Sequence, residues 1–166
     1  MNIIPQEVLQ PVQALVYQSC LSMNAEAWGD YLSLCDSQCF RYRVTNYSPE
    51  IRREQCWADR DFKTMKAAFD LMPRHNADKA KLTRHANVYS VTWDAGAREA
   101  SVVSALTIYR TELDGATSYR ESGLTRLYVV GLYRDRIRLT DAGARLVDRI
   151  VELDTRQLDI GTHKPF

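Results

Sequence analysis

Histidine is scarce in this sequence: only His75, His85 and His163 occur, and no cysteine lies within three positions of any of them. That spacing excludes a Rieske cluster held by this chain, which needs paired C-x-H and C-x-x-H ligands. Glycine is also sparse, with seven residues, and neither G-x-x-x-x-G-K nor G-x-G-x-x-G is present, so no phosphate-cradling loop can be read. A G-x-S-x-G nucleophile elbow is missing as well. No apolar run approaches the roughly 18 residues that a membrane span needs, and the first residues, MNIIPQE, lack the basic and apolar regions of a secretory signal. Without that signal, Cys20, Cys35, Cys39 and Cys56 are expected to be free, mostly buried thiols in a reducing cytoplasm. Charge of one sign is lacking too. Lys plus Arg (22) against Asp plus Glu (21) leave a net +1, which argues against nucleic acid and anionic membrane as partners.

What is present suits one folded domain over residues 1–166, with 45% hydrophobic and 26% charged residues. Val8, Leu9, Val12, Leu15 and Val16 make a helical stripe after Pro5, and Trp28, Tyr31, Leu32 and Cys35 a second, with Asn24 as its N-cap and Glu26 in the favoured first turn. At Phe40, Tyr42 and Val44 the period becomes two, which predicts a strand. Asp59 is then expected to cap a helix carrying Phe62, Met65, Phe69 and Met72, ended by Pro73.

From Leu82 onward the pattern is β: strands over 82–93, 98–112, 123–139 (bent or bulged near Gly131) and 145–154, with turns at Asp94-Ala95-Gly96 and Asp141-Ala142-Gly143 and a longer loop near Asp114-Gly115. Residues 155–166 read as a terminal extension, either frayed or reaching a neighbouring molecule. The order α-α-β-α followed by four strands with short turns predicts an α+β fold. Helices would pack on one face of a curved, mixed or antiparallel sheet, giving a cone whose mouth is either a pocket or filled.

Candidate chemistry is thin. Cys35 and Cys39 share a helical spacing but no second ligand pair joins them, so zinc is not supported. A facial triad would have to combine His75 and His85 with a carboxylate such as Asp78. Acid–base catalysis would centre on His85, with Tyr89 on its face and Asp59, Asp61 and Tyr31 brought from helical segments. Arginines are more informative. Arg84, Arg110, Arg126 and Arg149 each fall inside a predicted strand, and Asp148 and Glu152 share the last one. Bidentate Arg–carboxylate pairing on a partly desolvated face explains such placement, as does a solvated face. Arg84, Arg110 and Arg149 are therefore the candidates for sheet-face pairing or subunit contact. Arg41, Arg43, Arg52 and Arg53 read as an exposed face.

Motifs in a fixed order now carry a resemblance: Trp28-x-x-Tyr31-Leu32-x-Leu34, Phe40-Arg41-Tyr42-Arg43-Val44, Glu50-Ile51-Arg52-Arg53, Leu82-Thr83-Arg84-His85-x-Asn87-Val88, Leu106-Thr107-Ile108-Tyr109-Arg110-Thr111, Gly131-Leu132-Tyr133-Arg134-Asp135 and the ending 145–155. Spread over nearly the whole chain, they resemble the small (beta) subunit of aromatic-ring-hydroxylating, Rieske-type non-haem iron oxygenases, of nuclear-transport-factor-like cone fold. The resemblance implies a structural subunit with no catalytic, cofactor or metal residue of its own. The Rieske 2Fe–2S cluster, the mononuclear Fe(II) and the substrate pocket would lie in a large alpha subunit. The assembly would be α3β3, fed with electrons by a ferredoxin or reductase. One departure is Leu146, near where the family often has Trp. The alternative is a stand-alone cone-fold isomerase, dehydratase or hydrolase using His85 as acid or base. A non-enzymatic ligand-binding or adaptor domain of the same fold is a third possibility.

Overall fold

The structure is a computed structural model and describes residues 4–75, 78–113 and 121–166, with only the main chain of His75. In chain order the elements are α1 (Gln6–Asn24), α2 (Trp28–Ser33), β1 (Arg41–Ser48), β2 (Arg53–Asp61), α3 (Phe62–His75), β3 (Lys81–Asp94), β4 (Glu99–Thr111), β5 (Thr125–Thr140) and β6 (Gly143–Leu153). The strands form one six-stranded sheet in the order β2-β1-β6-β5-β4-β3. All neighbours are antiparallel except β1 and β6, which run parallel, so the sheet is mixed. The α+β expectation therefore holds, and so do the two short turns. At the first, the Asp94 carboxylate accepts from the main-chain N–H groups of Gly96 (2.9 Å) and Ala97 (3.1 Å). At the second, Gly143 takes a φ of 111°, open to glycine at no steric cost.

Periodicity explains the layers. Val8, Val12, Leu15, Val16, Cys20 and Met23 recur at helical spacing on α1 and are all buried, and α1 lies against β3 and β6. Facing it, the sheet contributes alternate residues such as Leu106, Ile108, Tyr133, Ile137, Leu146 and Val151. Gly131 marks a close approach instead of a bulge: a Cβ there would sit 2.3 Å from the carbonyl oxygen of Glu152 on the paired strand. The irregularity of β5 against β4 falls between Leu127 and Val129.

Several local expectations are corrected. Strand β2 is missing from the sequence reading because its residues, REQCWADRD, are nearly all exposed on the edge of the sheet and show no apolar alternation. Asp59 consequently sits in β2. The cap of α3 is Asp61, whose carboxylate accepts from the Thr64 N–H at 2.7 Å while Thr64 Oγ1 accepts from the Asp61 N–H at 3.0 Å. Pro73 lies inside α3, which runs one turn-fragment further to His75. Asn24 ends α1 instead of capping α2, and its amide brackets the main chain of Arg84, accepting from its N–H at 2.8 Å and donating to its carbonyl at 3.2 Å. Of the four free cysteines only Cys20 and Cys35 are buried; Cys39 and Cys56 are exposed. The loop near Asp114-Gly115 lies outside the described residues.

Candidate assembly surface

The inner face of the cone is built around the strand arginines. Cross-strand register sets Asp135 of β5 directly opposite Arg149 of β6, with both side chains turned inward. The guanidinium is bidentate to the carboxylate, Nε to Oδ1 at 2.8 Å and Nη2 to Oδ2 at 2.7 Å, and both side chains are 0% exposed. Its third arm donates to Ser19 Oγ of α1 at 2.9 Å, and its centre lies 4.0 Å from the Tyr133 ring centroid. Burial alone would lower the pKa of Arg149, but the facing Asp135 carboxylate drives it well above the ordinary arginine value. Such a pair adds little net stability over apolar residues of the same shape. Removing one partner, however, strands the other charge.

Arg110 of β4 makes the same kind of fork to Asp78, two hydrogen bonds of 2.8 Å each, and adds Glu112 at 2.7 Å through Nε. The fork fastens the stretch before β3 to the sheet. Burial opposes the ionised Asp78 carboxylate, yet the Arg110 hydrogen bonds outweigh it and hold the group below the usual range. Arg84 of β3 is buried without a carboxylate: it donates to the Pro165 carbonyl, to Asn24 Oδ1 (3.3 Å) and to the Leu82 carbonyl (3.4 Å). Burial lowers its pKa. Arg126 is half-buried among Glu112, Glu121 and Asp159. Arg41 pairs with Asp59 in the open, and Arg43 reaches Asp148 at 3.2 Å, so this face is partly paired.

Residues 160–166 neither fray nor project. Lys164, Pro165 and Phe166 are buried against the same chain. Lys164 donates to the Ala80 carbonyl at 2.7 Å and pairs with Glu26. The Tyr42 hydroxyl takes a hydrogen bond from the Phe166 N–H at 2.9 Å, and the Phe166 ring meets Tyr128 edge-on with centroids 6.1 Å apart. The mouth of the cone is thus largely filled.

This interior does not suit acid–base catalysis. Strand alternation that turns Arg84 inward turns His85 outward: it is exposed and lies edge-on to Tyr109 on the outer face, which corrects the catalytic reading of His85. Its supposed helpers are elsewhere, Asp59 on Arg41, Asp61 at the α3 cap and Tyr31 fully buried. Inside the cone, burial pushes Tyr31 and Tyr133 well above the ordinary tyrosine value, and Tyr42 and the Cys35 thiol each up to about 12. None of these groups exchanges a proton readily near neutral pH. The triad is not assembled either, because Asp78 is engaged by Arg110 and His85 points outward. Among the described residues no group of three His, Cys, Asp or Glu side chains could hold a metal ion.

The outer face carries what the sequence reading missed. Register aligns His85, Thr107 and Val130 in one row across β3, β4 and β5, and Thr83, Tyr109 and Leu127 in the next. On this face Tyr89 is 67% exposed, Leu127 56%, Tyr109 39% and Val130 36%. Tyr109 and Leu127 are register neighbours here, and neighbouring exposed apolar side chains make this face a candidate interaction surface. The signal was in 123–139, where apolar residues fall on both faces of the strand.

No protein-family model matches the chain. Over 161 residues, 97% of the chain and 88% of the relative, it is 31% identical to the methanesulfonate monooxygenase hydroxylase subunit beta of Methylosulfonomonas methylovora. The chain belongs to the family of ring-hydroxylating oxygenase beta subunits. A second relative, the 2-aminobenzenesulfonate 2,3-dioxygenase subunit beta of an Alcaligenes species, is 30% identical over 93% of the chain and 97% of its own length. The fold is also that of a solved chain from Novosphingobium aromaticivorans described as an aromatic-ring-hydroxylating dioxygenase beta subunit, with a TM-score of 0.73 at 17% identity and coverage of 89% and 90%. Beta subunits of this family are the structural members of multicomponent oxygenases, and the Rieske and iron centres belong to the alpha subunit. No helix among the described residues of this beta subunit is long and apolar enough to cross a membrane.

Proposed function

We propose that this beta subunit holds together a cytoplasmic hydroxylating oxygenase, of composition α3β3, that acts on a small organosulfonate. The observation that carries the reading is the near end-to-end match to a beta subunit at 31% identity. The substrate class rests on the names of both relatives, one an alkyl and one an aryl sulfonate enzyme. The outer apolar patch around Tyr109 and Leu127 is the surface that meets the alpha subunit. Arg84, Arg110 and Arg149 serve assembly indirectly, as internal ties that keep the sheet curved behind that patch. The ring or chain is oxidised in the alpha subunit with electrons delivered by a ferredoxin or reductase, and this chain contributes shape.

The test is a mild affinity purification of the chain from its own cells, followed by a gel and an absorbance spectrum. The expected result is a stoichiometric larger partner, brown from an iron–sulfur cluster, whose electron consumption rises with an alkyl- or arylsulfonate. A colourless, partner-free preparation refutes the assembly role. A brown complex indifferent to sulfonates refutes the substrate class alone.

A further inference from the structure

The face of the cone under α3 retains a cavity of about 280 Å³, near the lower end of the roughly 300–1,000 Å³ typical of small-molecule sites. Its apolar wall comes from Met65, Phe69 and Met72 of α3 and from Trp57 of β2. Trp57 reaches it through a bulge: Val44 pairs with Ala58 and Thr45 with Cys56, so Trp57 has no opposite residue and is turned away from the ladder. Bulges of this kind re-aim side chains beside binding sites.

The charged part of the lining is cationic. Arg60 and Lys164 border the cavity beside the polar Tyr42, Thr162 and His163, and no aspartate or glutamate does. Lys164 is already engaged by Glu26 and the Ala80 carbonyl. Arg60 is not: among the described residues it has no ion pair and no hydrogen bond. Alternation along β2 explains why. Asp59 and Asp61 flank Arg60 but face the other way, one held by Arg41 and the other by Thr64. Arg60 instead shares the inward face with its register partner Tyr42, which is fully buried and whose hydroxyl is committed to the main chain of Phe166. A half-buried guanidinium without a counter-charge, next to an indole and thioether wall, is the donor set for a planar or tetrahedral anion on an apolar body. Methionine walls adapt to more than one such body.

We propose that this cavity binds a small organic anion, a carboxylate or sulfonate on a ring or short chain, with Arg60 holding the anionic head and Trp57 and Phe69 packing the body. The residues that form this site stand whichever compound the complex oxidises. It gives the beta subunit a ligand of its own.

The test uses the complex as purified, with benzenesulfonate as probe and benzyl alcohol as the neutral control, read by calorimetry and tryptophan fluorescence. Arg60→Gln removes the charge, and Ala68→Phe fills the cavity from α3 while leaving Arg60 in place. A sulfonate site in the partner is common to all three proteins and cancels in the comparison. The expected result is one equivalent per beta chain that both variants weaken at least tenfold, with quenching of Trp57 in the wild type and no such equivalent for benzyl alcohol. Equal binding in the wild type and both variants overturns the site. Loss in Arg60→Gln with Ala68→Phe unaffected also overturns it, because the anion then sits on a surface charge and not in the cavity.

Discussion

Charge stands inside the cone among its apolar core, and apolar side chains stand outside it. Inside the cone stand Arg149 with Asp135, Arg110 with Asp78, and Arg84 on carbonyls and an amide; outside, Tyr89, Tyr109, Leu127 and Val130 are open to solvent. Charge inside fixes geometry, because a buried guanidinium such as that of Arg149 tolerates only positions in which its arms meet acceptors. Apolar surface outside gains free energy only when another molecule covers it. The inner face therefore specifies one shape, and the outer face spends that shape on a partner. Substitutions on the two faces should separate cleanly into folding and assembly defects.

The largest effect is expected at the centre of the inner face. Asp135→Ala leaves Arg149 charged and unpaired in a fully buried site, which costs about 3–5 kcal/mol. The double change Asp135→Leu, Arg149→Met should recover most of that loss, since apolar residues of similar volume replace such pairs without penalty. Denaturant midpoints of the single and double variants check this. A single variant as stable as the wild type would mean that the pair is not sealed from water.

On the outer face the expected defect is in assembly. Leu127→Asp should leave the unfolding free energy within about 1 kcal/mol of the wild type, since the side chain is already exposed. Capture of the larger partner should fall by at least tenfold, as a charge is forced into the apolar centre of the contact. Co-purification yield against unfolding free energy gives both numbers. If capture persists, the partner uses another face.

How much of this was legible depended on whether the signal was local. The α1 stripe, the four late strands and both short turns were readable because alternation and turn residues act over a few positions. Strand β2 was not, since an exposed edge strand has no apolar face to show. Arg149 could be suspected from its place in a strand, but its partner Asp135 depends on register, which periodicity does not give. The same limit hid the direction of His85: one residue of register decides which of Arg84 and His85 enters the cone. The burial of Phe166 was invisible because nothing near it in sequence holds it; Tyr42 and Tyr128 do.

A smaller effect follows at Asp78. Its pKa is lowered in the folded chain, so the pair with Arg110 stabilises at pH values above the ordinary aspartate value of 3.8, and that contribution is lost as pH falls through the lowered folded value. Asp78→Asn should cost about 2 kcal/mol at neutral pH. The wild-type and variant stability curves should converge in acid below 3.8. Curves that stay parallel through that range would assign the loss to packing, not charge.

The smallest effect tests whether burial or geometry separates the two faces. Arg41 and Asp59 form a fork as well aligned as that of Arg149 and Asp135, with Nε to Oδ1 at 2.8 Å in both. The difference is exposure: the side chains of the outer pair are 55% and 42% accessible. Water and salt screen such a pair, and ordering two long side chains opposes it, so Arg41→Ala should leave stability close to that of the wild type and lose any remaining difference in high salt. Both pairs are bidentate forks, but Arg149 also meets Ser19 and the Tyr133 ring, so the two losses differ by burial together with those added contacts. A cost for Arg41→Ala approaching that of Asp135→Ala would mean that the outer pair is desolvated too, and would place β1 and β2 under the partner alongside the Tyr109 and Leu127 patch.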